Sequence, residues 1–188
     1  MTLTLIPLSP DIRPAYEALY ESSFPASERK DLDYMLTGDR SAAFEVLAVS
    51  TPDRPVAGMV ITVTHEGLTM LDYLAISPDL RGQGLGHAVL PMVRNRVKAQ
   101  NGGHFFLEIE TPPPLCIPRD PCDNAEQRVR RKAFYASAGM VETGVRAFIY
   151  GNDMELLAFP EDAAAVTFEG YDALLRATFP VDMTAEKI

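Results

Sequence analysis

Three glycines between a predicted strand and a predicted helix form the segment with the most distinctive chemistry. From Leu68 to Gln100 the pattern indicates a short, almost continuously apolar strand, a glycine-rich turn at residues 81–86 and an amphipathic helix. A strand that enters a helix through glycines leaves backbone N–H groups unpaired at the helix N-terminus, where the helix dipole also favours negative charge. This turn therefore predicts an anion site, above all for a pyrophosphate.

The spacing of the glycines distinguishes three kinds of phosphate-binding turn. A Walker loop ends in Gly-Lys-Ser/Thr, but here Gly86 is followed by His87. The dinucleotide fingerprint needs two residues between its last glycines, and only Leu85 lies between Gly84 and Gly86. The pattern that fits is Arg/Gln-x-x-Gly-x-Gly/Ala, directly after an apolar strand. A glycine turn that only lets a helix pack tightly on a sheet is the alternative without a ligand.

This turn resembles the acetyl-CoA pyrophosphate loop of the GNAT superfamily of N-acetyltransferases. The order of predicted elements is similar to that family along about residues 3–159. The resemblance implies an acetyl-CoA-dependent N-acetyltransferase that uses acetyl-CoA as a co-substrate and needs no metal. The residues it assigns to cofactor binding are Leu74, Ile76, Arg81, Gly82, Gln83, Gly84, Leu85, Gly86 and His87.

A tyrosine near the end of a later predicted helix matches the family's proton donor. Residues 132–140 resemble the helix ending in which a tyrosine, four residues before a glycine, lies beside the CoA sulfur; Tyr135 has this position. A phenol with a pKa near 10 stays protonated at neutral pH and can donate to the departing thiolate. The alternative is a core tyrosine. Where the family often has an asparagine that contacts pantetheine, this chain has Arg128, for which phosphate binding is a plausible substitute.

Two carboxylates lie on one face of the strand predicted at residues 104–110. Alternation places four side chains on that face: His104, Phe106, Glu108 and Glu110. An amine with a pKa near 10.4 is neutral in only about 1 in 2,500 molecules at pH 7, so a base assists its attack. We interpret Glu108 and Glu110 as the acceptor site, one binding an ammonium and one accepting its proton. Salt bridges to the basic cluster at 128–132 are the structural alternative, and Asp72 is the reserve candidate.

The whole pattern predicts an α/β fold: a GNAT-like three-layer α/β/α arrangement with a central mixed, mostly antiparallel sheet. One parallel β-α-β unit carries the glycine-rich loop. Ser9 and Pro10 indicate the start of a first helix, and a second short helix is predicted over residues 28–36. The other predicted strands and helices cover residues 2–8, 43–49, 56–65, 124–138, 141–150, 154–159 and 168–179. Pro91 falls inside the helix after the glycines, where it should bend that helix.

Length and charge bound the remaining possibilities. The 188 residues suit a single domain over residues 1–188, with a core of about 3–159 and a C-terminal helical extension of about 160–188. A net charge of −9 argues against nucleic-acid binding, which needs a basic face. No apolar run is long enough to span a membrane, and the N-terminus lacks the basic lead of a secretory peptide, so a cytoplasmic location is expected.

Residues 111–123 contain five prolines and therefore predict a stiff, exposed loop that is neither helix nor central strand. The loop follows a strand end predicted to lie at the active site, so it is either a lid or substrate wall, or a decoration without a catalytic role. It contains Cys116 and Cys122, which we interpret as reduced thiols. A regulatory disulfide or half of a metal site is the alternative.

The sequence thus predicts an enzyme that moves an acetyl group from acetyl-CoA to a primary amine of a small molecule or peptide by direct attack. No cysteine stands where an acyl-enzyme route would need one. The rival is a non-catalytic acyl-CoA-binding sensor or regulatory module on the same fold. We expect a small-molecule amine acceptor, no nucleic acid, no membrane, and a monomer or homodimer. Acidic residues near the site favour a cationic acceptor.

Overall fold

The computed structural model describes residues 2–179 and 185–188 of the chain. The fold consists of two compact units. Unit 1 takes in Met1–Val63 and Leu71–Ala99, and unit 2 takes in Thr64–Met70 and Gln100–Ile188. The prediction of one domain over 1–188 stays a prediction, and residues 180–184 of the predicted C-terminal extension lie outside the described residues.

Unit 1 contains four strands in the order β1-β2-β3-β4. The strands β1 and β2 pair antiparallel, as do β2 and β3. The elements of this unit are β1 (Thr4–Pro7), α1 (Arg13–Ser23), α2 (Leu32–Thr37), β2 (Phe44–Thr51), β3 (Arg54–His65), β4 (Leu68–Ile76) and α3 (Leu85–Asn101), of which β3, β4 and α3 each extend a few residues into unit 2. Pro91 lies inside α3, as predicted.

The core of unit 1 lies between α1, α2 and the strands. One apolar cluster joins Tyr16 and Tyr20 of α1, Met35 of α2 and Ile61 of β3, all of them buried. The buried Tyr16 hydroxyl donates to the carbonyl oxygen of Val60 at 3.3 Å, which keeps this polar group bonded inside the core. This packing stabilises two short helices that would be marginal alone.

The predicted starts of the first two helices were wrong by a few residues. The helix α1 begins at Arg13, with Pro14 in its first turn. The Ser9 hydroxyl donates to Asp11 Oδ1 at 2.5 Å and does not accept from a helix N–H as a cap would. The helix α2 begins at Leu32, after Asp31, whose carboxylate accepts from the Asp33 N–H at 2.8 Å. The backbone groups of Glu28 and Lys30 bond to tyrosine hydroxyls and do not continue a helix.

Unit 2 contains four strands in the order β5-β7-β6-β8, and each described neighbouring pair is antiparallel. The hairpin between β6 and β7 turns at Tyr150 and Gly151, whose φ values of 53° and 82° suit a tight two-residue turn. The elements of unit 2 are β5 (His104–Glu110), α4 (Ala125–Ser137), β6 (Val141–Ile149), β7 (Asn152–Ala158), α5 (Pro160–Ala163), α6 (Phe168–Thr178) and β8 (Glu186–Lys187). The short β8 was not predicted.

The C-terminal helix α6 forms as its apolar spacing predicts. Thr167 caps the helix by accepting from the Gly170 N–H at 3.1 Å, and Tyr171, Leu174 and Leu175 are buried. Within the described ranges 2–179 and 185–188, the structure has no helix with the length and hydropathy needed to cross a bilayer.

Candidate active site

The glycine-rich turn presents an open stretch of backbone at the start of a long helix. Gly82 and Gly84 have φ values of +75° and +78°, a left-handed conformation that suits glycine. A Cβ added at either position would meet no atom within 4 Å. The helix α3 begins at Leu85, and N–H groups in a first helical turn have no partner within the helix. This geometry is compatible with the anion site predicted from the sequence.

The side chains of this turn stabilise its shape. The Arg81 Nε donates to the carbonyl oxygen of Ile76 at 3.0 Å, which joins the end of β4 to the turn. Gln83 Nε2 donates to the carbonyl oxygen of Asp79 at 3.4 Å. Leu85 is buried and anchors the first turn of α3, whereas Arg81 and His87 are exposed. Seven of the predicted cofactor residues thus form the continuous segment 81–87, which is open at Gly82 and Gly84.

The last half of β4 divides its side chains between two environments. Tyr73 and Ala75 are buried in the apolar cluster of unit 1. Asp72, Leu74 and Ile76 alternate with them and share the other face of the strand. Leu74 and Ile76 are half-buried, which leaves part of each side chain accessible to a ligand.

Tyr135 lies in the last turn of α4, before Gly139 with its φ of +89°. Its ring packs against Phe134 at a centroid distance of 5.0 Å. Burial raises the pKa of Tyr135 to about 12, although the neighbouring Arg131 guanidinium acts in the opposite direction. Tyr135 is half-buried, and within residues 2–179 and 185–188 its hydroxyl has no hydrogen-bond partner and is not among the buried unpaired polar atoms. The hydroxyl is therefore open to solvent or a ligand, and the role of proton donor stays a prediction.

The two predicted carboxylates have different partners. Glu110 accepts from both Arg131 at 2.8 Å and Asn124 Nδ2 at 3.0 and 2.9 Å, and it lies 3.2 Å from Arg128. This is the salt-bridge arrangement that the sequence left open as the structural alternative. The carboxylate of Glu108 instead accepts a short hydrogen bond from the Tyr171 hydroxyl of α6.

The face of β5 that carries these carboxylates contacts the C-terminal helices of unit 2. His104 Nδ1 lies 3.1 Å from Asp162 Oδ1 of α5, and the Phe106 ring lies edge-on to Tyr171 of α6 at 6.3 Å. Both contacts join residues more than 50 positions apart in the chain. The sequence did not indicate these contacts, because residues 160–188 were predicted to be a C-terminal extension of the core.

We expect the two carboxylates to respond differently to amide substitution. Glu108→Gln can still accept from Tyr171, so its melting temperature should change little. If Glu108 is the base, its acetyl-transfer rate at pH 7 should fall about 10²-fold and partly recover at high pH, where more amine is neutral. Glu110→Gln removes a countercharge beside two arginines, so it should mainly destabilise the fold.

Rates from pH 6 to 10 and melting temperatures measure these effects, and CoA affinity by calorimetry is the control for both variants. Tyr171→Phe removes the hydrogen bond that positions Glu108 but keeps its carboxylate. The variant therefore separates the effect of positioning Glu108 from the effect of losing its proton transfer. Full activity of Glu108→Gln at pH 7 would contradict its role as the base, and full activity of both Gln variants would leave Asp72 as the next candidate.

Arg128 belongs to a buried network and not to a phosphate site. Its side chain is 1% exposed, and its five N–H groups are all donated within unit 2. The acceptors are Asn124 Oδ1 at 2.5 Å, Asp120 Oδ2 and Oδ1 at 2.7 and 3.0 Å, the Thr111 carbonyl oxygen at 3.2 Å and Asn152 Oδ1 at 3.3 Å. No donor remains for a ligand, so the suggested phosphate-binding role for Arg128 was wrong.

This network holds the proline-rich loop, residues 111–123, against the rest of unit 2 through Asp120. Residues 111–123 contain no helix or strand, as predicted, but Thr111 and Asp120 are buried, so the expectation of an exposed loop was wrong there. Asp120 accepts from the N–H groups of Asp153 and Cys122, both at 2.8 Å. Burial acts to raise the pKa of Asp120, but the hydrogen bonds from Arg128 and the two backbone groups outweigh it and lower the pKa.

Cys116 and Cys122 are free thiols whose sulfur atoms lie 2.6 Å apart. Asp120 lies between the two cysteines in the chain. Its ion pair with Arg128 therefore restrains the segment that carries both thiols. Within the described ranges, no three or more His, Cys, Asp or Glu side chains are grouped as a metal site would require.

Removing the Arg128 guanidinium should destabilise the fold strongly. Arg128→Met leaves the buried Asp120 carboxylate without its countercharge, which typically costs about 3–5 kcal/mol. The control Arg130→Met removes an exposed pair with Glu126 on the same helix, and we expect a change within about 0.5 kcal/mol. Urea unfolding measures both free energies. Equal stability of the two variants would show that the network contributes no more than a surface pair.

Comparisons with known proteins agree with the fold. Residues 10–113, more than half of the chain, match the family model described as "Acetyltransferase (GNAT) family". The chain therefore belongs to the GNAT acetyltransferase family. The predicted enzyme class is confirmed, and so is the α/β fold, an open mixed sheet with one parallel pair that is flanked by helices. The family uses acetyl-CoA as its acetyl donor. A search of curated protein sequences found no match.

Several solved structures share this fold. A GNAT-family acetyltransferase of Bacteroides thetaiotaomicron is 21% identical, with a TM-score of 0.68 over 92% of this chain and 96% of that protein. The spermidine N-acetyltransferase of Vibrio cholerae, in complex with CoA and spermine, is 14% identical, with a TM-score of 0.61 over 86% and 97%. The ribosomal-protein-S18-alanine N-acetyltransferase of Escherichia coli is 21% identical, with a TM-score of 0.53 over 85% and 94%. At these identities the likeness concerns the fold.

Proposed function

We propose that this acetyltransferase moves the acetyl group of acetyl-CoA to a primary amine of a small molecule or peptide by direct attack of the amine on the thioester. The observation that carries the proposal is the open backbone at Gly82 and Gly84, which leads directly into the first turn of α3. In a GNAT chain this is a site for the CoA pyrophosphate, and it requires no side-chain ligand. In this proposal the exposed edges of Leu74 and Ile76 contact the rest of the cofactor.

Tyr135 is the proton donor in this proposal. Attack by the amine breaks the C–S bond, and the thiolate that leaves needs a proton. The phenol of Tyr135, with its pKa raised to about 12, is protonated throughout the physiological range and is able to donate. Among the residues that the structure describes, the hydroxyl has no internal hydrogen-bond partner and is not a buried unpaired atom, which supports this use of it. Glu108 is the candidate proton acceptor.

The acceptor in this proposal is cationic. The protein has a net charge of −9 and places carboxylates on β4 and β5, which supports binding of an ammonium. Relatives of the same fold act on both small and macromolecular amines, since one is a spermidine N-acetyltransferase and another acts on ribosomal-protein-S18 alanine. Of these classes we propose a small-molecule amine. A cytoplasmic location and a monomeric or homodimeric state are parts of the same proposal.

An acetyl-transfer assay over an amine panel tests the function. Spermidine, spermine, n-butylamine and a peptide that begins with alanine are incubated with acetyl-CoA, and release of the CoA thiol is followed together with the mass of the product. We expect transfer to at least one small amine, with one acetyl group added per thiol released. CoA binding without transfer to any amine, in this panel or a wider metabolite pool, would contradict the proposal and support the acyl-CoA-binding module.

A further inference from the structure

A buried carboxylate in unit 1 has only one of its two oxygens paired. Asp72 of β4 has a side chain that is 4% exposed, and its Oδ1 lies 2.5 Å from the Lys30 ammonium. Its Oδ2 is buried and has no hydrogen-bond partner within residues 2–179 and 185–188. A buried polar atom without a partner is unfavourable and uncommon, so this oxygen is suited to a donor from a ligand.

The Lys30 side chain indicates which kind of ligand would fit beside Asp72. Its ammonium lies 5.1 Å from the centroid of the Tyr73 ring as well as beside Asp72. The carboxylate and the aromatic ring together are suited to an alkylammonium ion, the group in which a lysine side chain ends. The Lys30 backbone is fixed separately, because its N–H is shared between the hydroxyls of Tyr20 at 2.9 Å and Tyr73 at 3.1 Å.

The side chain of Lys30 has space to move without unfolding its segment. Lys30 lines a cavity of about 390 Å³ in unit 1, together with residues that include Tyr20, Glu17, Glu21 and Asp31. This volume lies in the range of small-molecule sites. A flexible four-carbon stem that is 27% exposed can leave the carboxylate and turn into this cavity while its backbone stays bonded to the tyrosines.

The position of Asp72 relates this carboxylate to the cofactor residues. Asp72, Leu74 and Ile76 alternate along the same face of β4, and β4 leads into the glycine-rich turn of the same unit. Glu110, the other carboxylate considered for ammonium binding, is already held by Asn124 and Arg131.

We propose that Asp72 binds the ammonium group of the acceptor, and that Lys30 occupies this position until the acceptor displaces it. The ligand class is primary alkylammonium ions. Exchange of one ammonium for another keeps the buried carboxylate neutralised, and an ammonium with three N–H donors can bond Oδ2 as well as Oδ1. That this amine is the acetyl acceptor rests on the proposed function; that Asp72 binds an alkylammonium does not.

The test compares the two members of the ion pair in the full chain. The probe is n-butylammonium chloride, with n-butanol as its uncharged control, and the first readout is the melting temperature without acetyl-CoA. Lys30→Met leaves Asp72 uncompensated, so the variant should melt several degrees lower and regain those degrees with n-butylammonium but not with n-butanol. The control Arg96→Met removes a half-buried pair with Glu45 and should show no amine-dependent recovery.

Kinetics with n-butylamine as acceptor give the second readout. Lys30→Met should lower the KM for the amine several-fold, because an internal competitor is removed. Asp72→Asn should raise this KM about 10–100-fold, as expected for a lost hydrogen bond to a charged group, without changing CoA affinity. A purely structural ion pair would instead give two destabilised variants with an unchanged KM and no recovery by n-butylammonium, and this result would overturn the proposal.

The two readouts separate this proposal from the proposed function. The Lys30→Met melting result does not depend on whether Asp72→Asn folds or on any acetyl transfer. Acetyl transfer by the wild type without amine-dependent recovery of Lys30→Met would overturn the Asp72 site alone. Recovery by n-butylammonium without acetyl transfer to any amine would support the site and contradict the proposed function.

Discussion

Tyr135→Phe is expected to lower kcat by about 10²–10⁴-fold, equivalent to roughly 3–5 kcal/mol of activation free energy. The substitution removes one hydroxyl and keeps the ring that packs on Phe134. The hydroxyl has no partner among the residues that the structure describes, so its loss should leave the melting temperature almost unchanged. CoA affinity should stay within a few-fold, because the glycine-rich turn is untouched.

The pH dependence gives a separate test of the same role. With a pKa of about 12, Tyr135 remains protonated from pH 6 to 10, so the loss in Tyr135→Phe should be the same across this range. The wild-type rate should rise with pH as the amine becomes neutral, and should not fall through loss of the donor's proton below about pH 11. The folded pKa lies above the value near 10 expected in the unfolded chain, so the contribution of Tyr135 to stability is complete below pH 10 and is lost towards pH 12.

Steady-state kinetics and thermal melting of Tyr135→Phe make the measurement. Tyr150→Phe, at an exposed turn, removes a hydroxyl outside the proposed site and should keep the wild-type kcat. An unchanged kcat in Tyr135→Phe, with the chemical step shown to be rate-limiting, would exclude Tyr135 as the acid. A lower melting temperature with a normal rate would identify it as a core residue.

Gly84→Val is expected to abolish CoA binding at concentrations where the wild type is saturated. No protein atom lies within 4 Å of a Cβ at this position, so the new side chain would project into the open space assigned to the pyrophosphate. The φ of +78° also strains a β-branched residue, and we expect about 1–3 kcal/mol of destabilisation. Most domains tolerate that loss, since their stability is about 5–15 kcal/mol.

A second glycine with a positive φ provides the control for the backbone strain that valine introduces at position 84. Gly151, in the β6–β7 hairpin, has a φ of +82° and equally open space, so Gly151→Val should be destabilised by a similar amount while it binds CoA normally. Calorimetric titration with CoA and thermal melting of both variants make the comparison. Normal CoA affinity in a folded Gly84→Val protein would contradict the cofactor assignment.

The sequence by itself determined the elements that depend on neighbours in the chain. The glycine-rich turn follows an apolar strand and precedes a helix, and Gly82 and Gly84 adopt the left-handed backbone that few other residues accept. The strand at residues 104–110, the helix with Tyr135 and the C-terminal helix all follow from local periodicity and caps. These features were sufficient to predict the family, the fold and a site for acetyl-CoA.

Only the tertiary structure decided which charged groups are paired. Arg128 looked available for a phosphate until it was found bonded to Asp120 in a loop expected to be exposed. Glu108 meets Tyr171 across 63 positions of sequence, and Lys30 meets Asp72 across 42. Periodicity indicates which face of an element a side chain occupies, but pairing depends on which distant segment packs there and on the need to neutralise buried charge. Both the packing of a distant segment and the neutralisation of buried charge arise only in the folded chain. These partners therefore could not be inferred from residue types and spacing.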